Sequence, residues 1–227
     1  MSFYKIVQLL NKAYGRPRRF VKTDPVDELV RTILSQNTND RNSLKAFAAL
    51  KKRFRQWDGL LALDNRKIAL LIKGAGLSNI KSKRIKEALA EVKRREGRIS
   101  LERLRKMSVE ESLEYLRTIK GVGPKTASCV LLFSFGKKVM PVDTHIFRVA
   151  GRLGLIAGSM DIEEAHKFLT NKVPKGLIYE FHLGIIEHGR KTCKAQNPRC
   201  GFCVLYEICC FKYRRSMTRY DTQSECR

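Results

Sequence analysis

Apolar residues return every three or four positions along almost the whole chain. That spacing puts one side of an α-helix against a core and leaves no alternation for strands. The periodic runs cover 3–13, 26–34, 43–54, 68–72, 82–96, 110–116, 127–135, 146–153 and 163–169. Helix starts punctuate them. Asp24-Pro25 supplies an N-cap followed by proline at the first helical position, and Ser108 with Glu111 and Asp161 with Glu164 have capping-box spacing. No pair of alternating segments flanks an Asn-Gly or Asp-Gly turn. The expectation is an all-α protein of many short helices with no internal repeat. At 227 residues it has material for one large domain or two small ones.

Charge narrows the function. There are 46 Lys+Arg against 22 Asp+Glu, a formal charge of +24. Such an imbalance repels itself, which solubility alone does not explain; a polyanion bound through its phosphates does. No stretch pairs a long apolar face with a basic one, which argues against a membrane surface. The start MSFYKIVQLLNKAYG has no cleavage-site pattern, and no run is long and apolar enough to span a bilayer. An intracellular location with reduced thiols is expected.

Reduced thiols matter because Cys193, Cys200, Cys203 and Cys209 form a C-x6-C-x2-C-x5-C array. Away from a secretory route this reads as a metal site, with zinc and iron–sulfur both open on spacing alone. Cys210 is an alternative ligand, Cys129 on an apolar helix reads as core filler, and Cys226 as a thiol of the aperiodic tail after Phe211. A second constrained stretch is LRTIKGVGPKTA at 116–127. A helix ends near Ile119, Gly121 and Gly123 turn the chain, and Pro124 opens the next helix. Backbone N–H groups of such a turn point at an anion such as a DNA phosphate; an ordinary glycine-capped connection is the plainer alternative.

The stretch IKGVGPKTA resembles the helix-hairpin-helix of the endonuclease III family of DNA glycosylases. PVDTHIFRV at 141–149 is similar to that family's VDTHIFRV, LSQNTND at 34–40 to its LSAQATD segment, and GLSN at 76–79 to its GLYN segment. The cysteine spacing resembles its [4Fe–4S] loop. The five matches run in the family's order from about residue 25 to 209.

The resemblance implies two helical domains. A helical barrel at 25–137, with the hairpin at 116–135, would be inserted in a domain made of 1–24 and 138–210 that carries the cluster loop. A basic tail would follow at 211–227. The implied partner is double-stranded DNA with damaged bases or abasic sites, bound in the groove between the domains by a monomer. The implied activity is excision of oxidised or ring-saturated pyrimidines followed by strand cleavage. In that reading Lys125 attacks the sugar and forms a Schiff base. Asp143 activates it and stabilises positive charge on the sugar, although an aspartate before a helix is also a common N-cap. Leu77 enters the stack as a wedge, or is a core leucine. Asn37 stands where the family has glutamine, so Gln36 shares the task of filling the vacated space. Gly121, Gly123, Thr126 and His145 contact DNA, with a hydrogen-bonded structural histidine the alternative for the last. Cys193, Cys200, Cys203 and Cys209 hold the cluster. A mismatch or alkylation glycosylase on the same fold is a second reading, against which Lys125 counts. A non-catalytic DNA-binding iron–sulfur protein is a third.

Overall fold

The computed structural model describes residues 2–18, 20 and 22–211. Among these there are eleven α-helices and no strand: α1 (Phe3–Tyr14), α2 (Pro25–Ser35), α3 (Asp40–Arg53), α4 (Asp58–Leu61), α5 (Asn65–Leu71), α6 (Ser78–Glu96), α7 (Val109–Arg117), α8 (Pro124–Phe135), α9 (Thr144–Leu153), α10 (Ile162–Lys172) and α11 (Ile178–Lys191). The all-α expectation holds. Every periodic run lies on a helix, usually begun a few residues earlier by a polar cap that periodicity does not register.

The caps read from sequence are formed. The Asp24 side chain accepts from the N–H groups of Val26 and Asp27 at 3.0 and 2.9 Å, and both capping boxes are closed. Periodicity missed α4 and α11. The buried stripe of α11 is Ile178, Phe181, His182, Gly184, Ile185, His188 and Gly189. Two histidines and two glycines interrupt its apolar signal.

The chain separates into two compact units, Val21–Val139 and Met1–Phe20 with Met140–Arg227. In the first, α8 is buried on nearly every side, from Thr126 to Leu132. It packs against α2 and α7, while α6 lies on α2 and α5. Leu29, Ile33, Leu50, Ile68, Ile85, Leu89 and Leu116 are fully buried around it. Thr23 N–H donates to the Phe133 carbonyl at 3.1 Å, which ties the start of α2 to the end of α8.

In the second unit α11 packs on α1 and α9. A Cβ at Gly184 would stand 3.1 Å from Leu10 Cδ1, so glycine lets α1 and α11 approach closely. Two buried histidines fix the extended segment ahead of α9. Nδ1 of His166 lies 3.0 Å from the Met140 carbonyl, and Nδ1 of His182 lies 3.1 Å from that of Pro141. These contacts set where Asp143 begins its helix.

Candidate active site and cysteine loop

The hairpin turn shows why its two glycines differ. Gly121 has φ +84, a left-handed conformation that favours glycine, and a Cβ there would stand 3.3 Å from Arg84 Cγ. Gly123 has an ordinary φ of −86 and serves as the N-cap of α8. It is exposed, with open space where a side chain would be. A cap without a side chain leaves the N–H groups of the first turn for an outside acceptor, and Pro124 removes one of them. Lys125 follows in that turn, half-buried. Thr126 is 3% exposed, which leaves its backbone to serve the turn.

Sequence reasoning missed the carboxylate near this lysine. Glu28 on α2 is buried, accepting from Thr23 Oγ1 at 3.2 Å and Thr32 Oγ1 at 3.4 Å, with Arg31 at 3.8 Å. Burial pushes its carboxyl above the usual range; Arg31, the two hydroxyls and Lys125 pull it partly back. The only sequence signal was a second acid beside Asp27 on the apolar side of α2.

Two further turns of the same unit carry the candidate inserting residues. Asn37 and Leu77 both adopt left-handed backbone, at φ 50 and 49. Asn37 is exposed, and Leu77 is 51% exposed rather than a core leucine. Gln36 is engaged, its Oε1 accepting from Arg84 at 2.7 Å. Ile80, in the first turn of α6, is also exposed.

Asp143, His145 and the cysteines belong to the other unit. Asp143 is half-buried and caps α9, its Oδ1 accepting from Ile146 N–H at 2.8 Å. His145 has its Nδ1 3.2 Å from the Arg148 guanidinium, which also donates to the carbonyls of Thr144, Gly189 and Cys193. With the guanidinium as donor, Nδ1 accepts and the ring proton sits on Nε2. The Nδ1 of His145 is thus engaged by Arg148, which also reaches the cysteine loop through the Cys193 carbonyl.

Cys193, Cys200, Cys203 and Cys209 line one cavity with Val149, Leu153 and Leu205; Cys210 is outside it. Burial pushes the Cys203 thiol up to about 11, and Cys209, Cys193 and Cys200 add to the rise. Arg152, His188 and Arg199 line the same cavity. Among the described residues no three His, Cys, Asp or Glu side chains are arranged to hold a metal ion. Arg152, one turn beyond Arg148, donates to Cys193 Sγ at 3.3 Å and to the carbonyls of Lys194 and Ala195. The i,i+4 pair of arginines on α9 was the signal for this brace.

Residues 30–175 match the model of the HhH-GPD superfamily base excision DNA repair proteins. The chain belongs to that superfamily. It is 35% identical over 209 residues to endonuclease III of Thermotoga maritima, covering 92% of this chain and 93% of that one. It is 40% identical over 171 residues to an Arabidopsis thaliana protein named as a DNA glycosylase, and there the match spans 74% of this chain but 58% of the plant protein. The fold superposes on a trapped covalent endonuclease III–DNA intermediate with a TM-score of 0.79 at 26% identity, covering 94% of this chain and 97% of the other. The protein is thus an endonuclease III-like DNA glycosylase of base-excision repair.

Proposed function

We propose that this glycosylase is bifunctional, removing oxidised or ring-saturated pyrimidines from double-stranded DNA and then cleaving the abasic strand through Lys125. The observation that carries this reading is the placement of Lys125 in the first turn of α8, directly after a turn whose glycine cap leaves N–H groups for a phosphate. The likeness to a covalent endonuclease III–DNA intermediate supports it. The deprotonated Lys125 amine attacks C1′, and the C1′–N bond breaks as the base leaves with its electron pair and a proton. Opening of the sugar gives an iminium. Loss of a C2′ proton then expels the 3′-phosphate, and water releases the lysine. The Asp143 carboxylate stabilises positive charge on the sugar while it caps α9. The chemistry needs the base outside the helix, and the exposed Leu77 and Asn37, with Gln36 beside them, are the residues to fill the space it leaves.

Cys193, Cys200, Cys203 and Cys209 hold a [4Fe–4S] cluster in this reading. When bound, the cluster folds and stiffens the loop between them, and the basic side chains of that loop, Lys194 and Arg199 among them, meet phosphate.

Borohydride trapping tests the proposal. Wild type should give a covalent adduct with an oxidised-pyrimidine duplex and with an abasic duplex, and Lys125→Ala should give none. Absence of any wild-type adduct refutes the lyase step; undiminished trapping by Lys125→Ala refutes the nucleophile.

A further inference from the structure

Lys81 is among the largest fully buried side chains of the described residues, 1% exposed at the start of α6. Its Nζ donates to the Leu34 carbonyl at 2.8 Å and the Ala75 carbonyl at 2.7 Å. Both acceptors end a helical segment: Leu34 lies in the last turn of α2, and Ala75 closes the 3₁₀ turn Lys73–Ala75. Such carbonyls lack helical N–H partners, and a cation also suits the negative helix end. Three residues beyond Leu34 is Asn37; two beyond Ala75 is Leu77. These are two of the three non-glycine left-handed residues among those described. Left-handed backbone is strained for a residue with a side chain and persists only where its surroundings enforce it. Lys81 grips the chain immediately ahead of both. Arg84, one turn further along α6, adds a bond to Gln36 and lies along Gly121.

A buried ammonium is an expensive way to gain stability, since desolvation opposes it and apolar replacements are often neutral or better. What it offers here is geometry: one rigid head sets the separation of two chain segments 41 residues apart (75 − 34).

We propose that Lys81 is a positioning residue for base extrusion. It staples the Gln36–Asn37 turn to the Gly76–Leu77 turn so that their tips enter the duplex in register. This rests on the gap-filling role given above to Leu77, Asn37 and Gln36, but not on the lyase step or the lesion.

The test uses the purified holoprotein and a duplex with 2-aminopurine opposite a tetrahydrofuran abasic analogue, which cannot be cleaved. Wild type should bind and raise the 2-aminopurine fluorescence as the base unstacks. Lys81→Met should keep its anisotropy-measured affinity, which phosphate contacts carry, and lose the unstacked population by on the order of 10-fold or more. Lys81→Arg, which keeps a cation and its donors but spreads the turns, should fold and show the same selective loss, so a poorly folded Met variant does not end the test. Leu77→Ala should reproduce the pattern, and adding Lys81→Met to it should have little further effect. Unchanged unstacking in the folded Lys81 variants overturns the proposal, as does a parallel loss of binding and unstacking. A wild type that unstacks the base but excises no pyrimidine refutes the substrate reading and leaves Lys81 supported.

Discussion

Two substitutions separate the N-cap that Asp143 forms from the electrostatic role proposed for its carboxylate. As N-cap of α9 it accepts from Ile146 N–H at 2.8 Å. Removing a cap of this kind costs about 1 kcal/mol, and losing a negative charge at a helix N-terminus about 0.3–1 kcal/mol more. Asp143→Ala loses both, about 1.5 kcal/mol. Asp143→Asn retains an oxygen that caps as well as aspartate does and loses only the charge, about 0.5 kcal/mol. For a chain of this length each kcal/mol moves Tm by about 2–4 °C, so the expected falls are about 3–6 °C and about 1–2 °C. Activity should divide differently. Stabilising a cationic sugar needs the charge, so both variants should lose on the order of 100-fold in single-turnover excision. The assays are thermal denaturation by circular dichroism and quenched-flow excision on one duplex. An Asn variant with wild-type excision refutes the electrostatic role. An Ala variant no less stable than the Asn variant refutes the capping argument.

Glu28 predicts a pH effect. Its native carboxyl is raised by burial, so as pH climbs above the usual value of 4.5 the unfolded chain releases this proton before the folded one does. Glu28 therefore lowers stability progressively between that value and its native one. Glu28→Gln should be stabilised relative to wild type at pH 7 more than at pH 4; chemical denaturation across that range would show a constant or opposite difference if the burial argument is wrong. For the cysteines, protein purified anaerobically should be brown with about four iron atoms per chain if one [4Fe–4S] cluster is bound, and Cys203→Ala should lose colour and loop order together. Zinc in place of iron by metal analysis would overturn the cluster reading.

What was legible in the sequence is what depends on neighbours a few residues apart. Helices follow from periodicity and caps, so Asp24, Ser108 and Asp161 could be read as they are found. The glycine turn before Lys125 is equally local, as is the exposure of Leu77, whose neighbours Gly76, Ser78 and Asn79 are loop-forming residues. The failures have the same cause. α11 was invisible because its buried stripe contains histidines and glycines whose value lies in contacts with Leu10, Pro141 and His145, distant in the chain. That the Thr126 side chain is buried was equally beyond reach, because a motif does not say which side of α8 faces the core.

The sequence by itself determined an all-helical chain, its polyanion-seeking charge, a thiol array and the position of one lysine after a glycine turn, because each is set by composition or by residues adjacent along the backbone. Only the tertiary structure decided that Glu28 is a buried carboxylate within the field of Lys125, that His145 is held by Arg148, and that Lys81 joins the carbonyls of Leu34 and Ala75. Those facts come from burial and from partners up to 97 residues apart (125 − 28). The physical reason is desolvation. Whether a charged side chain is a solvated ornament or a constrained part depends on what surrounds it, and that is unknown until the helices pack.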